Sequence, residues 1–313
     1  RFMPTRGSMS RGKSKGGLPP DGVVQTEDEI LKDSERLIQK YHNTEKFSML
    51  RIGLGPCSPF SVTTELLKQT AELGKKYRVK CHTHIAETED ENGFCLKTVG
   101  MRPVDYMKSC GWLGKDFWYA HCVHLNDSEI RLMAETGTGV AHCPVSNLRL
   151  GSGIAPVARM LENKVRVGLA VDGSASNDSS NYLLEMKIAM LIHRIKSGVD
   201  SMPARNVLKM ATRGGADILG WDEAGSIEKG KAADLAVFNL NQIGYAGALH
   251  CKSSSVLYAG DSQTTEYTIV NGQVVVDKGK IKNVDTEKLF KKHNRISDKL
   301  VDQACQKTGV CYI

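Results

Sequence analysis

Short apolar runs alternate with helix-like segments through the first two thirds of the chain. Each run leads into a polar or glycine-rich loop and then into a segment of helical periodicity, which indicates parallel strands joined by crossover helices. The runs are almost continuously apolar, as expected for strands covered on both faces. Six strands are predicted, near residues 1–3, 50–55, 79–86, 117–122, 138–143 and 165–172.

Six parallel strands fit either a doubly wound sheet or most of an eight-stranded α/β barrel. No G-x-G-x-x-G or G-x-x-x-x-G-K-[ST] motif follows any of these strands, so a nucleotide-phosphate site is unsupported. Polar residues mark several strand carboxyl ends: Glu87, His121, His142 and Asp172. Barrel enzymes place their chemistry at that rim, so the sequence favours the barrel.

The strand that runs into Glu87 carries the most distinctive chemistry. Side chains alternate along a strand, so His82 and His84 share one face, about 6.6 Å apart along the axis. Glu87 follows three residues after His84, where the strand should end. Imidazole beside carboxylate at a strand mouth suits metal-assisted proton transfer. A pair of partly buried histidines satisfied by hydrogen bonds is the alternative interpretation.

Helix signals lie between the strands. Thr26 and Glu29 form a predicted capping box for a helix to Tyr41, and Asn126 or Asp127 is predicted to cap a helix to Thr136. Residues 1–22 are rich in glycine and proline, which predicts a strand end followed by a long loop. The other predicted helices cover residues 63–77, about 103–111, 181–197 and 203–219.

Composition narrows the classes of partner. The chain has 313 residues, a net charge of +7 and nine cysteines without a C-x-x-C pair, so we interpret the cysteines as reduced thiols of a cytoplasmic protein. The sequence contains no basic stripe with interleaved aromatic residues, so nothing in it indicates nucleic-acid binding. No apolar run approaches the ~20 residues of a membrane span.

The pattern changes beyond about residue 224. Asn271-Gly272 between two β-rich runs predicts a hairpin, and residues 285–304 predict a closing helix. The pattern divides the chain into an α/β barrel at 1–220, a small β unit at 221–283, and a C-terminal helix and tail at 284–313.

Six segments in this order resemble the amidohydrolase superfamily, in its nucleobase and triazine deaminase branch and most closely its 8-oxoguanine deaminase-like group. They cover nearly the whole chain, and their order carries the resemblance. The segments are Arg6 to Met9 with residues 16–21, His82 to Glu87, Ala120 to Leu125, His142 to Asn147 with residues 150–153, Asp172 to Asp178, and Gly225 to Leu235.

The resemblance implies a (β/α)8 barrel with a small β-sandwich and one divalent metal, zinc or alternatively iron. By motif, His84 and Asp172 are metal ligands, Glu87 is the proton shuttle, and His121 polarises the water or the intermediate. The H-x-H of the family's first strand is absent, so we expect a chain that is truncated at its N-terminus and lacks two barrel strands. Such a chain is expected to bind metal weakly or not at all and to be inactive alone.

The resemblance also implies a reaction, the hydrolytic deamination of an amino-heterocycle such as 8-oxoguanine. Arg6 is a candidate to hold a ring carbonyl, with a surface loop arginine as the alternative. His82, His124 and His142 are interpreted as packing residues, and Asn147 as a loop former. Members of the family commonly pair, so a homodimer is expected.

Alternatives remain within and outside this class of enzyme. Guanine, adenosine or S-adenosylhomocysteine deaminases and triazine aminohydrolases share the pattern, and a metal-free scaffold is the alternative from another class. The other zinc-deaminase fold uses H-x-E with P-C-x-x-C. Pro56-Cys57 lacks the second cysteine, so that fold is rejected.

Overall fold

The computed structural model describes residues 1–259 and 264–311, which form two compact units. The first comprises residues 1–232 and the described residues from 240 to 259, and the second comprises 233–239 and 264–311. The domain boundaries given above stay a prediction. Among the described residues, no helix is both long and apolar enough to cross a bilayer.

A six-stranded parallel sheet forms the centre of the first unit. The strands pair in the order β1-β2-β3-β4-β5-β6, which is also their order in the chain. A doubly wound sheet reverses its strand order at a switch point, so this sequential order agrees with the barrel prediction. The strands are β1 (Thr5–Ser8), β2 (Gly53–Pro56), β3 (Cys81–Ile85), β4 (Phe117–His121), β5 (Gly139–His142) and β6 (Arg166–Leu169).

Eleven helices of the first unit lie among the described residues. The predicted capping boxes are present at Thr26 with Glu29 and at Asn126 with Glu129. The helices are α1 (Glu27–Tyr41), α2 (Thr64–Tyr77), α3 (Glu89–Val99), α4 (Pro103–Ser109), α5 (Asp127–Thr136), α6 (Pro144–Arg149), α7 (Val157–Glu162), α8 (Tyr182–Ser197), α9 (Ala204–Lys209), α10 (Gly215–Leu219) and α11 (Lys252–Tyr258).

The predicted first strand at residues 1–3 is wrong in position. Phe2 makes only an isolated bridge to Leu50, and the strand itself is β1. Its sequence, Thr-Arg-Gly-Ser, has no apolar run for a periodicity argument to detect. Four helices, α3, α6, α7 and α11, were not predicted, because the first is acidic at its start and the other three have only six or seven residues each.

The predicted helix over residues 203–219 contains a π-helical turn at Met210–Gly214. The turn lies directly on β6: a Cβ atom added to Gly214 would be 2.2 Å from the carbonyl oxygen of Val167. A helix surface without side chains at this point allows the two backbones to approach. The irregular turn therefore belongs to the packing of this helix on the sheet.

The second unit contains a four-stranded antiparallel sheet in the order β10-β9-β8-β7. The predicted hairpin is confirmed: Asn271 and Gly272 join β8 to β9 with φ values of 49° and 81°. Positive φ at both turn residues is what a tight hairpin of this type requires. The elements are β7 (Leu235–Val237), β8 (Tyr267–Val270), β9 (Gln273–Asp277), β10 (Lys280–Ile281) and α12 (Thr286–Thr308).

Candidate metal centre

Three side chains converge at the carboxyl ends of β3, β4 and β6. One ligand atom from each of His84, His121 and Asp172 lies within 4.8 Å of the other two. Two imidazole nitrogens and one carboxylate oxygen form a donor set that zinc accepts. Parallel pairing produces the cluster, because it brings the ends of separate strands to one edge of the sheet.

His84 is oriented by the loop after β2. Its Nδ1 lies 2.5 Å from the carbonyl oxygen of Cys57, and its backbone N–H donates to the same oxygen at 3.1 Å. Burial lowers the pKa of His84, but hydrogen bonding to Cys57 and the charge of Glu87 outweigh it and raise the pKa to about 9. Because Nδ1 is engaged, Nε2 is the nitrogen left for a metal, and a metal there would displace the proton that this raised pKa keeps on the ring.

His121 faces both an amide and a carboxylate. Its Nδ1 lies 2.9 Å from Oδ1 of Asn147, and its Nε2 lies 3.6 Å from Oε2 of Glu87. The ring is 1% exposed and stacks on that of His84 with centroids 5.4 Å apart. The prediction that Asn147 forms a loop is wrong: Asn147 lies in α6, and its amide oxygen supports His121.

Asp172 is held as a carboxylate by three donors. The hydroxyls of Ser146 and Ser176 donate to Oδ2 at 2.6 and 2.8 Å, and the N–H of Gly173 donates to Oδ1 at 2.7 Å. Burial raises the pKa of Asp172, but these hydrogen bonds outweigh it and lower the pKa. The ionised form is the one that ligates a metal.

The backbone at the centre adopts a conformation that side chains disfavour. Ala86, His121 and Asp172 have φ values of 51°, 70° and 65°. Non-glycine residues rarely occupy this left-handed region, and such outliers concentrate at functional sites. The chain turns sharply at each strand end, which brings the following side chains to the cluster.

Glu87 stands in a cavity of about 260 Å³ beside the cluster. Its turn is held by Glu91, whose carboxylate accepts from the N–H groups of Ala86 at 2.8 Å and Glu87 at 3.3 Å. Phe60 and Leu150 add apolar surface to the same cavity. The site therefore combines three side chains that could hold a metal ion, the carboxylate of Glu87 and an apolar wall.

Arg6 lies on β1 and is engaged away from this cavity. Its guanidinium donates to Asp33 of α1 and to Gln25, both at 2.8 Å. Arg6 is not among the residues that line the cavity. Its position gives no support to the substrate contact predicted for it, which requires a free guanidinium.

The three histidines that were interpreted as packing residues lie outside the cluster. His82 stacks on Trp118 with ring centroids 4.1 Å apart, and burial together with the charge of His84 lowers its pKa to about 3. His142 is buried against His193 of α8, with the two Nε2 atoms 3.0 Å apart. His124 lies 2.9 Å from the carbonyl oxygen of Ser152.

Two proteins of named activity are similar to this chain in sequence. The chain is 44% identical to an 8-oxoguanine deaminase of Pseudomonas aeruginosa over 301 residues, 96% of this chain and 67% of that protein. It is 35% identical to a hydroxydechloroatrazine ethylaminohydrolase of Pseudomonas sp. strain ADP over 292 residues, 92% of this chain and 60% of that protein.

A solved structure matches as well. The crystal structure of atrazine chlorohydrolase from Arthrobacter aurescens TC1, complexed with zinc, aligns with a TM-score of 0.90 at 34% identity, over 94% of this chain and 65% of that one. This chain thus spans between 60% and 67% of the length of these relatives. The model of the amidohydrolase family matches residues 1–275, and the chain belongs to that family.

Proposed function

We propose that this chain carries the catalytic side chains of a metal-dependent deaminase that hydrolyses an amino-heterocycle and releases ammonia. The observation that carries the proposal is the convergence of His84, His121 and Asp172 within 4.8 Å, with Glu87 at 3.6 Å from His121. The named relatives, an 8-oxoguanine deaminase and a triazine-ring aminohydrolase, support this reaction class.

Zinc is the metal we propose, with iron as the alternative, and His84 and Asp172 are its proposed ligands. A bound zinc ion would lower the pKa of its water to about 7. Two features of these side chains support the assignment. Nδ1 of His84 is hydrogen-bonded to the carbonyl oxygen of Cys57, and Asp172 is held ionised by its hydrogen bonds. Hydrogen-bonded ligands of this kind are pre-oriented for a metal.

Proton transfer is assigned to Glu87. Its carboxylate takes a proton from the attacking water and passes it to the ring nitrogen next to the attacked carbon. A second proton passes from the hydroxyl group added to the carbon to the exocyclic amine, so the hydroxyl becomes a ring carbonyl as the C–N bond breaks and ammonia leaves. His121 faces the same space and stabilises the charge that develops at the attacked carbon.

An oxidised purine such as 8-oxoguanine is the proposed substrate. The cavity of about 260 Å³ lies just below the ~300–1,000 Å³ typical of sites for drug-sized ligands. A small planar ring suits this size, and Phe60 and Leu150 offer it an apolar surface. The predicted homodimer and cytoplasmic location stay predictions.

Ammonia release from a panel of substrates tests the proposal. Because this chain alone is expected to be inactive, a longer protein that carries it together with the H-x-H strand expected above is supplemented with zinc and given 8-oxoguanine, guanine, adenosine and an aminotriazine, with E87Q as the matched control. We expect release from 8-oxoguanine to be fastest, and the loss of the shuttle in E87Q to slow it by ~10²–10⁴-fold. Release from the triazine alone would overturn the purine assignment. Equal rates for E87Q and the unmodified chain would overturn the mechanism.

A triazine ring is the second candidate substrate. The atrazine chlorohydrolase structure aligns at a TM-score of 0.90 and 34% identity, so both ring systems have relatives with this fold. The panel decides between them. A longer protein that has no H-x-H upstream of this chain and releases no ammonia from any substrate would support the scaffold alternative.

A further inference from the structure

Glu185 is a buried acid that the proposed reaction does not use. It lies in the first turn of α8 and is 0% exposed. Its Oε2 accepts the backbone N–H of Val145 at 3.3 Å, and its Oε1 accepts a hydrogen bond from Nδ2 of Asn177. Both are neutral donors. Burial of a carboxyl group is costly, so a side chain in this position requires an explanation.

Capping of α8 does not explain it. Asn181 already accepts from the N–H groups of Leu183 and Leu184 at 3.1 and 3.2 Å, which satisfies the start of this helix. The contacts of Glu185 reach outside the helix instead. One joins it to the first turn of α6, and the other joins it to the loop after β6.

These two segments carry the groups that orient the metal centre. Directly after Val145, Ser146 donates to Asp172 and Asn147 lies against Nδ1 of His121. Asn177 closes the loop that begins at Asp172: its Nδ2 donates to the carbonyl oxygen of Val171 at 2.8 Å, and its N–H donates to that of Gly173 at 2.9 Å. Glu185 is the bridge between the two segments.

We propose that Glu185 and Asn177 are positioning residues that lock the Asp172 loop to α6 and so hold Asp172 and His121 in register for the metal. The inference rests on the proposed metal centre. Asp172 itself is in the left-handed region with φ 65°, a conformation that persists only when its surroundings impose it. Asn177 is 1% exposed and already closes this loop through Val171, so the Glu185 bridge completes that constraint.

Two isosteric variants test the bridge. In E185Q the new amide N–H faces either the N–H of Val145 or Nδ2 of Asn177, so two donors oppose each other. In N177D a carboxylate faces that of Glu185, so two acceptors oppose each other. The E185Q/N177D double variant again sets a donor against an acceptor. E129Q is the matched control. Glu129 is also buried, at 2% exposed, and accepts a backbone N–H. It differs from Glu185 in being paired with Arg102.

Amide hydrogen exchange and zinc affinity are measured on the 313-residue chain. In E185Q and in N177D we expect faster exchange in peptides covering residues 143–150 and 172–181, and a zinc Kd raised 10–100-fold in competition with a chromophoric chelator. The double variant is expected to recover part of both changes. E129Q is expected to leave both quantities unchanged.

The outcomes separate the two proposals. Unchanged exchange in both peptides, or changes as large in E129Q, would overturn the positioning role. If E185Q fails to fold, N177D decides by the same measurements. If the unmodified chain binds no zinc, the exchange data alone decide whether Glu185 couples the two segments, while the ammonia panel decides the proposed function.

Discussion

Acidification should destabilise the first unit through the histidine pair of β5 and α8. His142 and His193 are each 1% exposed, and their Nε2 atoms are 3.0 Å apart, so the pair shares one proton and both rings are neutral. Burial, followed by the charge of Lys196, lowers the pKa of His193 from 6.5 to about 4. Burial, the charge of His193 and that of His121 lower the pKa of His142 well below its ordinary value.

The sign follows from proton uptake. Between pH 6.5 and 4 the unfolded chain binds a proton at His193 that the folded chain does not. The stabilising contribution is therefore complete above pH 6.5 and is lost as the pH falls towards 4. Integration of this difference gives about 2 kcal/mol lost between pH 7 and pH 5 from His193 alone.

Other groups change in the opposite direction. Burial raises the pKa values of Glu91 and Glu185 to about 7, so their protonated forms favour the fold at low pH. The prediction is therefore a difference between variants. H193Q keeps a hydrogen-bonding partner for His142 without a titrating ring, and it should lose about 2 kcal/mol less than the unmodified chain between pH 7 and pH 5.

Urea unfolding at a series of pH values provides the measurement, with the free energy of unfolding extrapolated to water. H250Q, at an exposed histidine, is the control and should follow the unmodified chain. Identical pH dependence in H193Q and the unmodified chain would refute the reasoning, because it would mean that the buried pair takes up no proton on unfolding.

Three further predictions concern packing and the metal centre. Gly214→Ala should lower the melting temperature markedly, since its Cβ would be 2.2 Å from the carbonyl oxygen of Val167. Gly93 lies in α3 with open space around it, so Gly93→Ala should raise the free energy of unfolding by ~1 kcal/mol. Calorimetry of both variants provides the check, and equal shifts would contradict the packing argument. In E87Q, zinc affinity by chelator competition should stay within a fewfold of the unmodified value, and a large loss would make Glu87 a ligand. Zinc at about 100 times its Kd should raise stability by ~2.7 kcal/mol, and D172N should abolish that shift in a melting assay; a shift that persists would exclude Asp172 as a ligand.

The strand arrangement was predictable because parallel strands covered on both faces leave apolar runs in the sequence. β3 and β4 carry such runs, and they were predicted within a few residues. β1 does not, since its four residues include Arg6 and Gly7, and its position had to come from the structure. α3 is acidic at its start, with Glu89, Asp90 and Glu91, so no clear apolar stripe marked it as a helix.

The metal cluster was predictable from motif order, but its supports were not. His84, His121 and Asp172 stand at strand ends, where sequence reasoning places chemistry. Glu185 acts through residues 8 and 40 positions away in the chain, and no local pattern encodes such a contact. The available signal was the polar pair Ser146-Asn147, which follows Pro144, the proline that ends the predicted strand at 138–143.

The left-handed backbone at Ala86, His121 and Asp172 has an evolutionary consequence. Each non-glycine residue in this conformation lowers the stability of the fold by roughly 1–3 kcal/mol. Selection for heat resistance alone would therefore favour substitutions at these positions. Glycine or asparagine there would relax the chain and strengthen the fold. At His121 and Asp172 the same change removes a side chain of the centre. Thermal robustness and turnover are thus set against each other at the same few positions.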